Sequence, residues 1–129
     1  MARFWVGGTG NWSDATNHWA TTSGGAPGAG NLPTATDDVV FDTLSNATAY
    51  TCTIDATTKL CRDITFGAPL VGNMTWAGSV AMTISGSMTL YSGLVRTYTG
   101  NLTFNATDAR TITLAGTQTA AAITFNGSG

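Results

Sequence analysis

From residue 49 onward the chain repeats a short motif of apolar, threonine, apolar. Ala49-Tyr50-Thr51-Cys52-Thr53-Ile54 alternates with the period of two expected of a half-buried strand. Seven triplets follow: Ile64-Thr65-Phe66, Met74-Thr75-Trp76, Met82-Thr83-Ile84, Met88-Thr89-Leu90, Leu102-Thr103-Phe104, Ile112-Thr113-Leu114 and Ile123-Thr124-Phe125. Each puts two large side chains on one face and a threonine on the other. Gly, Asn, Ser or Asp separates most of them, as turns require. The start-to-start spacing runs from six to fourteen residues, so the repeat is loose.

Short strands with one apolar face can close into an antiparallel sandwich or wind into a parallel solenoid. Similar triplets suit stacked positions on successive coils, and outward threonines suit ladders along the outside. Two or three strands per turn give coils of roughly 20 to 25 residues, within the solenoid range. The pattern therefore predicts an all-β protein, a parallel β-solenoid, with an antiparallel β-sandwich as the alternative.

Residues 1–48 read differently. They hold Phe4, Trp5, Trp12, Trp19 and Phe41, and a Gly-rich turn segment at Gly24-Gly25-Ala26-Pro27-Gly28-Ala29-Gly30. One acid-flanked strand is expected at Asp37-Asp38-Val39-Val40-Phe41-Asp42. The expected organisation is an aromatic, loop-rich cap at 1–48 and a repetitive β body at 49–129, forming one structural unit. A solenoid end without cover is an unpaired sheet edge. Ile123-Thr124-Phe125 ends the pattern with no change of composition, so another subunit, or more of a longer chain, is expected to cover that side.

Composition narrows the function classes. Lysine occurs once, at Lys59, and glutamate not at all, so strong helix formers are scarce. The formal net charge is −2, and Arg3, Lys59, Arg62, Arg96 and Arg110 are scattered. No nucleic-acid footprint results. No apolar run is long enough to span a membrane, and the first residues do not read as a secretory signal. The expected route is synthesis in a cytoplasm, with release inside a particle. Cys52 and Cys61 cannot complete a zinc site; two small buried thiols are the expected reading, with a disulfide between them as the alternative that the spacing does not decide.

Two groups could carry chemistry. Trp5, Trp12 and Trp19 could offer stacking platforms for carbohydrate, or could fill the core of the cap. Asp37, Asp38 and Asp42 form the dense acidic group. They could hold calcium, serve as a glycosidase pair, or cap turns at a strand end. His18 has no Ser or Cys partner pattern around it. No catalytic residue and no required cofactor is expected, with calcium as the candidate ion.

Phe4-Trp5-Val6-Gly7-Gly8-Thr9-Gly10-Asn11-Trp12-Ser13-Asp14, His18-Trp19, Gly24-Gly25-Ala26-Pro27 and Asp37-Asp38-Val39-Val40-Phe41-Asp42 together resemble the amino-terminal block of tailed-phage virion proteins. In those chains Gly/Thr-rich solenoid-like repeats follow. A related block is found in repetitive bacterial surface adhesins. The resemblance implies a non-enzymatic tail-fibre, tail-spike or head-appendage component in the virion. Its expected partners are other virion proteins, further copies of itself and a host surface glycan. A carbohydrate-binding adhesin module at the bacterial cell surface and a fragment of a polysaccharide depolymerase are the alternatives.

Overall fold

Alternation in the triplets turns directly into strands. The structure, a computed structural model, describes residues 1–67, 74–116 and 122–128. Strands form at β1 (Ala2–Trp5), β2 (Gly10–Asn11), β3 (Trp19–Ala20), β4 (Asp38–Phe41), β5 (Tyr50–Ile54), β6 (Lys59–Cys61) and β7 (Ile64–Phe66). They continue at β8 (Met74–Gly78), β9 (Met82–Ile84), β10 (Met88–Thr89), β11 (Val95–Arg96), β12 (Leu102–Phe104), β13 (Ile112–Thr113) and β14 (Ile123–Phe125). One helical turn, α1 (Ala15–His18), lies between β2 and β3.

The strands wind into a β-solenoid of about three turns. Its three sheets are ordered β13-β10-β7-β4-β1-β3, β11-β8-β5-β2 and β14-β12-β9-β6. Every pairing is parallel except β1 with β3. The antiparallel sandwich is therefore replaced by coils that stack in register. In the first sheet Val39 pairs with Ile64, Ile64 with Met88 and Met88 with Ile112. These steps of 25, 24 and 24 residues agree with the coil length predicted from the triplets.

Stacking sets like upon like. Inside, Cys61, Ile84, Phe104 and Phe125 follow one another in the third sheet. Outside, Thr65, Thr89 and Thr113 form one ladder and Thr83, Thr103 and Thr124 another. Phe66, Trp76, Ile84 and Leu102 are buried, whereas the threonines between them are half-buried. Each full burial of this kind is worth about 1.5–3 kcal/mol.

The rings make a continuous spine through the coils. Centroid distances are 5.7 Å from Trp5 to Phe41, 4.9 Å from Phe41 to Phe66, 5.2 Å from Phe66 to Trp76 and 4.5 Å from Trp76 to Tyr98. Residues 1–48, expected as a cap, contribute β1, β3 and β4 to the first sheet and β2 to the second. The short antiparallel β3 covers the outer edge of β1, which closes the first sheet on that side.

Candidate functional site

The three cap tryptophans are core. Trp5, Trp12 and Trp19 are at most 1% exposed. Trp19 meets Trp5 and Trp12 edge-on, at 5.1 and 4.8 Å. The indole N–H of Trp5 donates to the Gly8 carbonyl and that of Trp19 to the Trp12 carbonyl, both at 2.8 Å. A sugar needs a free ring face and finds none here, so the platform reading of these three residues gives way to the packing reading. His18 completes the cluster. Its ring stacks on Trp5 at 4.5 Å, and its Nδ1 lies 2.9 Å from the Val6 carbonyl. Gly10 is required beside it, because a Cβ there would fall 1.9 Å from His18 Nε2.

Asp37, Asp38 and Asp42 are dispersed onto separate partners. Asp37 is buried and meets the Met1 amino group at 3.4 Å and Arg3 Nε at 3.6 Å. The Thr34 amide and hydroxyl donate to its Oδ2 at 3.0 and 2.7 Å. Burial works to raise the Asp37 carboxyl, but these hydrogen bonds and cations outweigh it and hold it below the ordinary range. Asp38 is gripped in bidentate fashion by Arg62, which likewise holds its carboxyl low. Asp42 accepts from the Ser23 hydroxyl at 2.6 Å and the Leu44 amide at 2.9 Å, as turn-capping acids do. Among the described residues no group of three His, Cys, Asp or Glu side chains converges as a metal cage.

Cys52 and Cys61 are free and buried on different sheets. Burial pushes both thiols well above their ordinary range, which leaves them unreactive in the folded state.

Two surface depressions stand out among the described residues. The first, about 230 Å³, runs along β6. Its walls include Leu32, Thr34, Thr58 and Leu60, and Lys59 reaches into it. Lys59 occupies an interior stacking position above Met82, and its ammonium lies 3.9 Å from Asp55 Oδ1. Asp55 is also held by the Ser13 amide at 2.9 Å and by the Ser13 hydroxyl. The lysine is thus paired at a strand end.

The second depression, about 140 Å³, lies at the corner where the third sheet passes into the first. That corner takes three steps from Cys61 to Ile64 and four from Ile84 to Met88, but eight from Phe104 to Ile112. The longer third corner, residues 105–111, supplies Ala106, Asp108 and Arg110 to the lining. Arg110 donates to Asp108 through Nε at 2.8 Å and Nη2 at 2.9 Å, a planar bidentate pair. Opposite, Phe125 is 71% exposed and stacks on Phe104 at 5.6 Å with 20° between the rings. Gly86, Ala106 and Gly127 complete the depression's lining.

An exposed aromatic face, a guanidinium and a carboxylate therefore line one small groove. Sequence reasoning did not single out Asp108, Arg110 or Phe125 as a group. The spacing between the triplets at 102–104 and 112–114 lies inside the range of the others, so the sequence carried no signal for this group. The chain matches no protein-family model, no curated protein and no solved structure.

Proposed function

We propose that this chain is a non-enzymatic structural component of a phage virion, a tail or fibre part used in assembly or host attachment. The resemblance of the Trp/Gly-rich amino-terminal block supports this reading. The observation that carries it is the surface opposite the cap. Among the described residues β13 and β14 are the last strands of their sheets there. Leu114, Ile123 and Phe125 are exposed on that side, at 41%, 39% and 71%. Another virion subunit, or a further coil of a longer chain, laid against those side chains would remove apolar surface and unpaired backbone groups together. Such a surface gives an assembly part a defined docking face.

The test is electron microscopy of purified source particles carrying a gold label on this protein. Label at a fixed position on the tail or its fibres is the expected result. Particles that never carry label, with the protein recovered from the cell envelope instead, would replace this reading with the surface-adhesin one. The adhesin alternative draws on the corner groove, whose aromatic and polar walls suit a carbohydrate.

A further inference from the structure

We infer that the groove along β6 is a docking site for an extended, acidic peptide segment of another polypeptide, which adds a strand to the free edge of the third sheet. The inference goes beyond the assembly role proposed above and does not depend on it. Three observations lead to it.

The first is a vacant strand position. From β4 to β12 the chain visits the first, second and third sheets in turn. The first coil breaks this order. Between β2 and β4 the chain forms α1, β3 and a short 3₁₀ turn at Ala29–Asn31, and places no strand in the third sheet. β6 is therefore the end member of that sheet among the described residues. The groove follows its edge, between residues 57–60 on one side and residues 32–35 on the other.

The second is the backbone. The Lys59 amide donates to the Ala81 carbonyl and the Ser85 amide donates to the Cys61 carbonyl, so residues 59 and 61 turn their polar groups toward β9. The Leu60 N–H and C=O point to the opposite side, where no backbone group meets them among the described residues. Arg62, two residues on, faces that side as well, and its amide donates to the Asp37 carbonyl at 2.8 Å. The segment before β4 thus closes on this edge at Arg62 and parts from it at Leu60. An incoming strand finds one donor and one acceptor ready to pair.

The third is a cation. Lys59 lines the groove, and its side chain is only 8% exposed. Its ion-pair partner, Asp55 Oδ1, lies 3.9 Å away, beyond hydrogen-bonding reach, and Asp55 is already held by Ser13. The ammonium carries three donors, and no acceptor among the described residues takes them. A carboxylate on the incoming segment supplies a charge-assisted acceptor. Leu32 and Leu60, 38% and 43% exposed, give apolar contacts to the residues beside it.

The experiment selects a displayed library of random peptides on the full chain and measures the enriched peptides by calorimetry. Enriched sequences should share an aspartate or glutamate flanked by apolar residues. Lys59→Met keeps the stem, removes the ammonium and should weaken binding about tenfold or more. Leu60→Pro removes the groove-facing N–H without breaking a bond to β9, and should also weaken binding about tenfold or more. Leu32→Asp, at the exposed rim, should do the same by repelling the acid and removing an apolar contact. Each variant should keep the parent circular dichroism spectrum; if Leu60→Pro does not fold, Lys59→Met and Leu32→Asp decide. Failure to enrich any peptide overturns the inference. So does a peptide that binds Lys59→Met and Leu32→Asp as tightly as the parent, or one whose acid is replaced by its amide without loss. Gold labelling of the particle does not involve this groove, so the site can fail while the virion role stands, and the reverse.

Discussion

Replacing Phe66 with alanine should show how much of the fold is held by its aromatic spine. Phe66 is 1% exposed and lies between Phe41, nearly parallel at 4.9 Å, and Trp76 at 5.2 Å. Truncating a buried Phe to Ala costs about 3–5 kcal/mol through lost transfer energy and the cavity left behind. Two ring contacts, each worth about 0.5–1.5 kcal/mol beyond burial, place this site near the upper part of that range. About 4 kcal/mol is a large share of the roughly 5–15 kcal/mol that stabilises a domain. With a urea m-value of about 1–3 kcal/mol/M, the midpoint should fall by about 2 M. Phe66→Leu should cost only about 1.5 kcal/mol, since Leu90 occupies the next coil's place in the same column. Thr65→Ala, on the outer ladder one residue away, should cost about 0.5 kcal/mol. Urea titrations followed by circular dichroism measure all three. A loss under about 1 kcal/mol for Phe66→Ala, or an equal loss for Thr65→Ala, would refute the claim that stability resides in the interior stack.

Three further outcomes follow from particular contacts. Gly78 has φ +107°, and a Cβ there would lie 2.2 Å from the Ile54 carbonyl oxygen, so Gly78→Ala should lower stability by about 2 kcal/mol or more in the same titration. Cys52 and Cys61 should resist a thiol reagent under native conditions and react together once the chain unfolds; fast labelling of either in the native state would contradict their burial. Asp37 and Asp38 have folded pKa values below the ordinary 3.8, so the stability they contribute is present above that value and is lost as pH falls through their lower folded values. Thermal melts from pH 5 downward should show this loss, and Asp37→Asn should flatten the slope.

Much of the architecture was legible because the solenoid repeats a local rule. Ile64-Thr65-Phe66 and Leu102-Thr103-Phe104 reveal strand, inner face and outer face within three residues, and their recurrence implies the coil length. The antiparallel β3 was not legible. Trp19-Ala20 is two residues long, and its direction depends on where α1 returns the chain. The candidate sites were less accessible still. A tryptophan's identity does not say which way it points, and Trp5, Trp12 and Trp19 point inward because the cap must fill the end of the spine. The spacing of Asp37, Asp38 and Asp42 does not reveal partners as distant as Met1, Arg62 and Ser23. Phe125, Asp108 and Arg110 line one depression at a corner longer than the same corner of the two preceding coils.

The parallel ladders also determine how the molecule would bear load. Strands lie across the long axis, so their N–H···O bonds point along it. A partner gripping more than one sheet at once would pull on β13 and β14 together, and the bonds between two coils would share the tension. A pull applied through a single strand would instead open one coil at a time, each breaking its few bonds in turn. The same protein is therefore stiff when held across its end face and easily peeled when held by one strand, and the breadth of the grip sets its mechanical strength.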